Sequence, residues 1–358
     1  MKKASIYERL QLTHPIIQAP MAGGISTPEL TAAVSNHGGL GMIAAGYLQP
    51  EGLRKQIKEV KKKTKHWFGI NLFVPEDYQL EACALHTSKT LLQSIHQSLE
   101  IEENDVPLPR SEEDHRTYQA LIDVIIEEEV PVCSFTFGIP SHSIIERLKR
   151  HGIVVIGTAT TVKEAIEIER AGLDMVILQG SEAGGHRGTF LHAEEEGLIG
   201  LMALIPQAIR LIHIPIIAAG GIMDGRALMA ARCLGADAVQ MGTAFLTCTE
   251  SGASDIHKKA ITKATDSQTI LTSVFSGKKA RGINNTFIRM MQKHEEDLPS
   301  FPIQHTLTKS IRQESVKRKN REYMSLWSGQ SPMLASVQSA GELIERVMEE
   351  AEEVWNGV

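Results

Sequence analysis

The chain has 358 residues, 42% of them hydrophobic and 22% charged, a composition that buries a large core and excludes a disordered or fibrous class. A formal net charge of −6 argues against a nucleic-acid surface, and the basic runs at 61–63 and 317–321 read as solvated helix faces. Four cysteines, Cys83, Cys133, Cys233 and Cys248, lie far apart with no CxxC pair. They suggest neither a disulfide framework nor a zinc site, and they suit a reducing cytoplasm.

The first ten residues carry two lysines but no apolar core of a signal peptide, and no apolar run approaches the ~18 residues that span a bilayer. The expectation is a cytoplasmic protein with no membrane partner. Its length fits an α/β barrel with additions, since such barrels start near about 250 residues.

One pattern repeats along the chain: a short apolar run, a glycine-rich or polar turn, then an amphipathic helix of about three turns. Residues 15–20 (PIIQAP) form the first run. Thr27 and Pro28 then supply an N-cap and a first-turn proline for a helix that Gly38 and Gly39 stop. Residues 40–46 are the second strand, with 51–63 as its helix, and 68–74 are the third. Residues 75–129 break the rhythm; they are rich in Glu and His, with two helical segments around the linker NDVPLPRSEED, and read as an insertion. The pattern resumes with strands at 130–138, 153–160, 175–180, 214–222 and 238–246.

Eight Val/Ile-rich strands alternating with helices predict a parallel sheet covered by helices. Eight units in one unbroken series close more naturally than they spread, so a (β/α)8 TIM barrel is expected rather than an open doubly wound sheet. Residues 253–264 are read as the eighth helix. The chain beyond about 290 is read as a helical extension of one barrel domain, ending in an acidic helix laid across the outside.

Barrel enzymes place their chemistry at the C-terminal ends of the strands, and here those ends are rich in glycine. Gly220 and Gly221 end the seventh strand, while Gln240, Met241, Gly242 and Thr243 end the eighth. A phosphate needs several backbone N–H groups converging on it with no Cβ in the way, and this pair of half-sites supplies them. No P-loop is present, and no G-x-G-x-x-G follows the first strand.

After the sixth strand, the loop from Gln179 to Gly188 sets His186 among glycines that include Gly184 and Gly185. Such a histidine can approach a ligand closely, as general base or as neutral hydrogen-bond donor. Asn71 and Gln179 carry amides that can read a flat heteroaromatic ring, and Met21 and Ala22 offer apolar or backbone contacts to it. No cysteine occupies the histidine loop and no His/Asp/Glu cluster has metal spacing, so no metal is expected. An organic redox cofactor is the natural reading.

These motifs resemble the nitronate monooxygenase family (2-nitropropane dioxygenases), which are FMN-dependent barrels. The resemblance rests on QAPMAGG at 18–24, GIN at 69–71, QGSEAGGHRG at 179–188, AGGI at 219–222 and QMGT at 240–243, in family order from about 13 to 330. It implies FMN contacts from Asn71, Gln179, Gly184, Gly221 and the segment 240–243, with His186 at the reactive edge. It also implies a small nitro or nitronate substrate and molecular oxygen, with carbonyl compounds and nitrite as products. Whether His186 is a base or a hydrogen-bond donor stays open, as does a homodimer. Tyr323, in REYMSLWSGQ, resembles a C-terminal segment reaching back to the mouth and is the candidate substrate residue. The rival readings are a flavin-dependent enoyl-acyl-carrier-protein reductase using NAD(P)H and a flavin-binding protein without catalysis.

Overall fold

The structure is a computed structural model that describes residues 5–102, 106–191 and 197–357. The start of the chain, residues 1–4, and residues 103–105, which include the first two of the expected linker, lie outside the described residues.

Eight parallel strands form the barrel: β1 (Ile16–Gln18), β2 (Gly41–Ala44), β3 (Phe68–Phe73), β4 (Val132–Thr136), β5 (Val154–Ala159) and β6 (Met175–Gln179), then β8 (Ile216–Ala219) and β9 (Ala238–Met241). β1 pairs with β9, and the bridge Ile17 to Leu40 joins it to the β2 side, so the ring closes. Alternate residues face opposite ways, as strand geometry requires. Ile17, Met42, Val132, Ile156, Ile177 and Ile217 fill the interior. Ile16, Ile43, Ile70, Val155, Val176 and Val239 face the helices. The short helix α1 (Ile6–Leu10) closes the bottom by inserting Ile6 and Leu10 into the interior cluster, and its Ser5–Glu8 capping box fixes its start.

The helical layer begins with α2 (Pro28–Asn36), whose cap is Thr27 with Pro28 in the first turn, and α3 (Pro50–Lys63). Of the two helices between β3 and β4, α4 (Ala82–Ser98) leaves the barrel. α5 (Ser111–Glu127) instead packs Leu121, Ile122 and Ile125 into the barrel layer. Arg54 on α3 reaches Glu127 and Glu128 at its end. The third helical position is therefore filled from within the stretch read as an insertion. α6 (His142–Arg150), α7 (Val162–Arg170), α8 (Leu201–Ala208) and α9 (Gly225–Leu234) follow in order.

The last unit departs from the sequence reading. After β9 and the short α10 (Thr243–Leu246), α11 (Asp255–Lys263) packs Ala260 and Ile261 with Ile283, Met324 and Leu326. It does not fill the eighth helical place. That place, between α9 and α2, belongs to the terminal helix α15 (Ala340–Gly357), which buries Leu343, Ile344, Val347 and Ala351. A run of alternating β/α units gives no sign that the last helix is delayed by some ninety residues.

The intervening chain builds a cap over the mouth. β10 (Thr269–Thr272), β11 (Ala280–Ile283) and the two-residue β7 (Gly185–His186) form an antiparallel sheet. α12 (Thr286–Met291), α13 (Ile303–Leu307) and α14 (Lys309–Lys317) complete it. Leu92 and Ile95 of α4, with Leu99 just after it, join Phe275, Phe287, Ile303 and Ile311 in its core. The two additions, far apart in sequence, thus bury each other.

The contact between α9 and α15 is testable. A Cβ on Gly225 would run into the backbone of Val347 and Ala351, and the Gly225 N–H donates to the Glu350 carboxylate at 2.8 Å. Gly225→Leu should force the helices apart at a cost of about 1–3 kcal/mol. For a chain this large, that lowers Tm by about 2–4 °C per kcal/mol. An unchanged melting curve would show that α15 is not closing the barrel layer.

Candidate active site

The C-terminal ends of the strands, roofed by the cap, enclose a cavity of about 690 Å³. On one side, β8 ends in Gly220 and Gly221, the latter at φ +67°, a left-handed bend that suits glycine. Asp224 then caps α9 by accepting from the Ala227 N–H. Next to it, β9 ends in Gly242 and Thr243. Among the described residues, the N–H groups of Gly221, Gly242 and Thr243 donate to no acceptor, although all three residues line the cavity. Gln240 points inward, and its Oε1 is buried with no partner among the described residues. Open backbone donors at adjacent strand ends are what an oxyanion needs.

Across the mouth, Asn71 has a fixed orientation. Its Oδ1 accepts from Ser134 (2.9 Å) and Thr136 (3.1 Å), so its amide nitrogen is left for the cavity. Gln179 lines the cavity but is occupied by the histidine loop. Its Nε2 donates to the His186 carbonyl and its Oε1 accepts from the Gly188 N–H. The loop bearing Met21 and Ala22 is pinned by Ser26, which accepts from the Met21 N–H and from the Gln18 amide.

His186 stands where β7 pairs with β11, its backbone opposite Ala280. Its Nε2 lies 2.9 Å from the Ser276 hydroxyl, and Phe137, Phe301 and Trp327 surround the ring at centroid distances of 6.0, 6.1 and 5.5 Å. Burial, with Lys278 and Arg312 nearby, pushes its pKa down to about 3, so the imidazole is neutral at neutral pH. Beyond it, His305 stacks on Tyr47 at 4.4 Å and accepts at Nδ1 from Arg312. Arg312 makes no ion pair among the described residues, and no Asp or Glu among them lines the cavity. Burial lowers His305 to about 2 and His257 to about 4; His257 faces the cavity and meets the Trp327 carbonyl at 3.0 Å.

The cavity therefore brings together Met21, Ala22, Asn71, Gln179, Gly184, Gly185, His186, Gly220, Gly221, Gln240, Gly242 and Thr243. Two of the expected residues are elsewhere. Met241, one step along β9 from inward-facing Gln240, points to the helices and is buried in the outer layer. Tyr323 packs against the cap core, and its neighbour Trp327 lines the cavity instead. Sequence reading missed Tyr47, Phe137, Ser276, His305, Lys309 and Arg312. Only folding of the cap brings the last four over the mouth, and no local motif marks them.

Fold and site define a barrel enzyme, with open backbone donors at the ends of β8 and β9 and a neutral histidine lining the same cavity. The family model for nitronate monooxygenase matches residues 5–350, and the chain belongs to that family of flavin-dependent oxidoreductases. A relative from Staphylococcus haemolyticus (strain JCSC1435), named probable nitronate monooxygenase, is 48% identical over 96% of this chain and 95% of its own. One of the same name from Staphylococcus aureus (strain MSSA476) is 44% identical over 98% of each chain. Nitroalkane oxidase from Streptomyces ansochromogenes has a similar structure, with TM-score 0.91 and 40% identity over 99% of each chain. FabK from Thermotoga maritima is less similar, at TM-score 0.77 and 32% identity over 98% and 97%.

Three histidines whose pKa values are lowered in the fold make stability depend on pH. In the fold they sit at about 3 (His186), 4 (His257) and 2 (His305), against 6.5 when unfolded. Unfolding thus takes up protons below pH 6.5; their stabilisation is complete above that value and lost as pH falls towards the folded pKa values. The urea midpoint of the cofactor-free chain should hold from pH 8 to 7 and decline from 6.5 to 5. The slope approaches about 1.4 kcal/mol per pH unit for each histidine. His257→Gln should remove about one proton from that slope, and a flat midpoint would refute the neutral histidines.

Proposed function

We propose that the chain oxidises alkyl nitronates, and nitroalkanes by way of them, with molecular oxygen, giving carbonyl compounds and nitrite on an FMN held in the barrel mouth. The observation that carries this reading is the neutral His186, which has Lys278 and Arg312 nearby and shares with the open donors of β8 and β9 a cavity that no Asp or Glu among the described residues lines.

The residues fit FMN. The N–H groups of Gly221, Gly242 and Thr243 would hold its phosphate. The Asn71 amide nitrogen and the orphaned Gln240 oxygen offer a donor and an acceptor to its ring system. Met21 and Ala22 would border it, and Gly184 and Gly185 would let the histidine loop come close. When bound, FMN supplies the acceptor for electrons leaving the substrate.

The protein's own part is positioning. Lys278 and Arg312 favour an anionic nitronate near His186. Phe73, Phe137 and Trp327 line the cavity with apolar surface, which limits water around the reacting group. A neutral imidazole brings one donor and one acceptor to a substrate nitro group or α-proton.

His186→Asn should retain flavin and lose about 10²–10⁴-fold in oxygen uptake with nitroethane, the usual weight of general acid–base catalysis. Nitrite release measures the same loss, and full activity of the variant on both nitroethane and its nitronate would overturn the assignment. Wild-type enzyme mixed anaerobically with NADPH should keep its colour; rapid bleaching would instead assign reductase chemistry.

A further inference from the structure

The cavity holds a second neutral histidine, on α11, that the proposed reaction does not use. His257 is 5% exposed, and its ring lines the cavity. Its Nε2 lies 3.0 Å from the Trp327 carbonyl, which can only accept, so Nε2 carries the imidazole proton. Nδ1 is then a bare acceptor with no hydrogen-bond partner among the described residues. A buried acceptor without a partner is rare and asks for a ligand.

This histidine hangs on the segment that closes the turn after β9. Two residues beyond Trp327, the Gly329 N–H donates to the Thr243 hydroxyl at 2.9 Å. Leu246, at the end of α10, shares a buried cluster with Ala260 and Ile261 of α11. The bare nitrogen thus belongs to the same end of the cavity as the open N–H groups of Gly242 and Thr243. The cations that line the cavity, Lys309 and Arg312, both stand on α14, and Arg312 is bonded to His305. Charged groups on the elements around His257 are engaged elsewhere. Lys258 donates to the Cys248 carbonyl, and Arg281 on β11 donates to the Ser181 carbonyl. Glu250 accepts from the Ala340 N–H and Glu322 from the Thr286 N–H, while Asp255 and Lys259 are exposed. Burial is what holds the imidazole at about 4.

We infer that His257 is the phosphate partner on this side of the cavity, its Nδ1 and a phosphate oxygen of FMN sharing one proton. The inference rests on the FMN reading above. A phosphate monoester loses its second proton near pH ~6, so at pH 7.5 phosphate and imidazole are both bare before they meet. Brought together without a proton, a lone pair would face an anion. The anion raises the imidazole and the loss of water raises the phosphate, so the pair takes one proton from solvent as FMN binds. Riboflavin lacks the phosphate and offers Nδ1 nothing to share.

The test titrates the full-length chain, freed of flavin, with FMN and with riboflavin. Calorimetry at pH 7.5 in two buffers of different ionisation enthalpy gives the protons taken up. Wild type should take up about one proton per FMN and none with riboflavin. Its Kd for FMN should rise towards about tenfold per pH unit between pH 7.5 and 9. His257→Gln keeps a donor for the Trp327 carbonyl and removes Nδ1. It should bind FMN without proton uptake and about 10–100-fold more weakly, the scale of a hydrogen bond to a charged group. Its affinity for riboflavin should stay within about twofold of wild type. FMN binding without proton uptake in wild type, or equal weakening of FMN and riboflavin in the variant, overturns the role of His257 and leaves the FMN site standing. Wild type that binds neither flavin overturns the FMN reading itself.

Discussion

The backbone of Gly184 lies so close to that of Ser328 and Gly329 that a single carbon would not fit: a Cβ there would come within 2.5 Å of the Gly329 nitrogen. This contact locks the histidine loop to the returning C-terminal strand of chain, and neighbouring bonds secure both. Gly329 donates to Thr243 at the end of β9, Gln330 to the Glu182 carbonyl, and Ser328 to the Arg281 carbonyl on β11. A side chain at 184 would separate the cap from the barrel at the point where the cavity is built.

Charge is arranged with equal economy. The cavity has cations near His186 and no carboxylate among the described lining residues. Carboxylates just outside it have structural tasks. Glu164 accepts from the N–H groups of Thr160, Phe190 and Leu191, so it holds the chain beyond the histidine loop. Glu182 accepts from the Leu201 N–H at the start of α8. Negative charge is thus used to fasten backbone, while the cavity keeps a field that favours an anion.

Much of the barrel is legible in the sequence, because a strand buried on both faces must be an apolar run and a turn to a capped helix needs Gly, Pro, Thr or Asp. The glycine-rich strand ends are legible for the same reason. The placement of Met241 was available from strand alternation: if Gln240 faces inward, its neighbour faces out. Other features are not local. α15 is an acidic amphipathic helix that would suit any outer face, and only the ring of α9 and α2 gives it a place. Ser276, His305 and Arg312 reach the mouth through pairing of β11 with a two-residue strand and through packing of α4 against the cap. Neither leaves a periodic trace.

The central claim is that the barrel mouth is built for FMN. Protein purified without added cofactor, unfolded to release what it holds, and analysed by chromatography and mass spectrometry tests this most directly. The account predicts a yellow protein releasing FMN at close to one molecule per chain. A colourless protein without flavin, or one releasing a different cofactor, would contradict it.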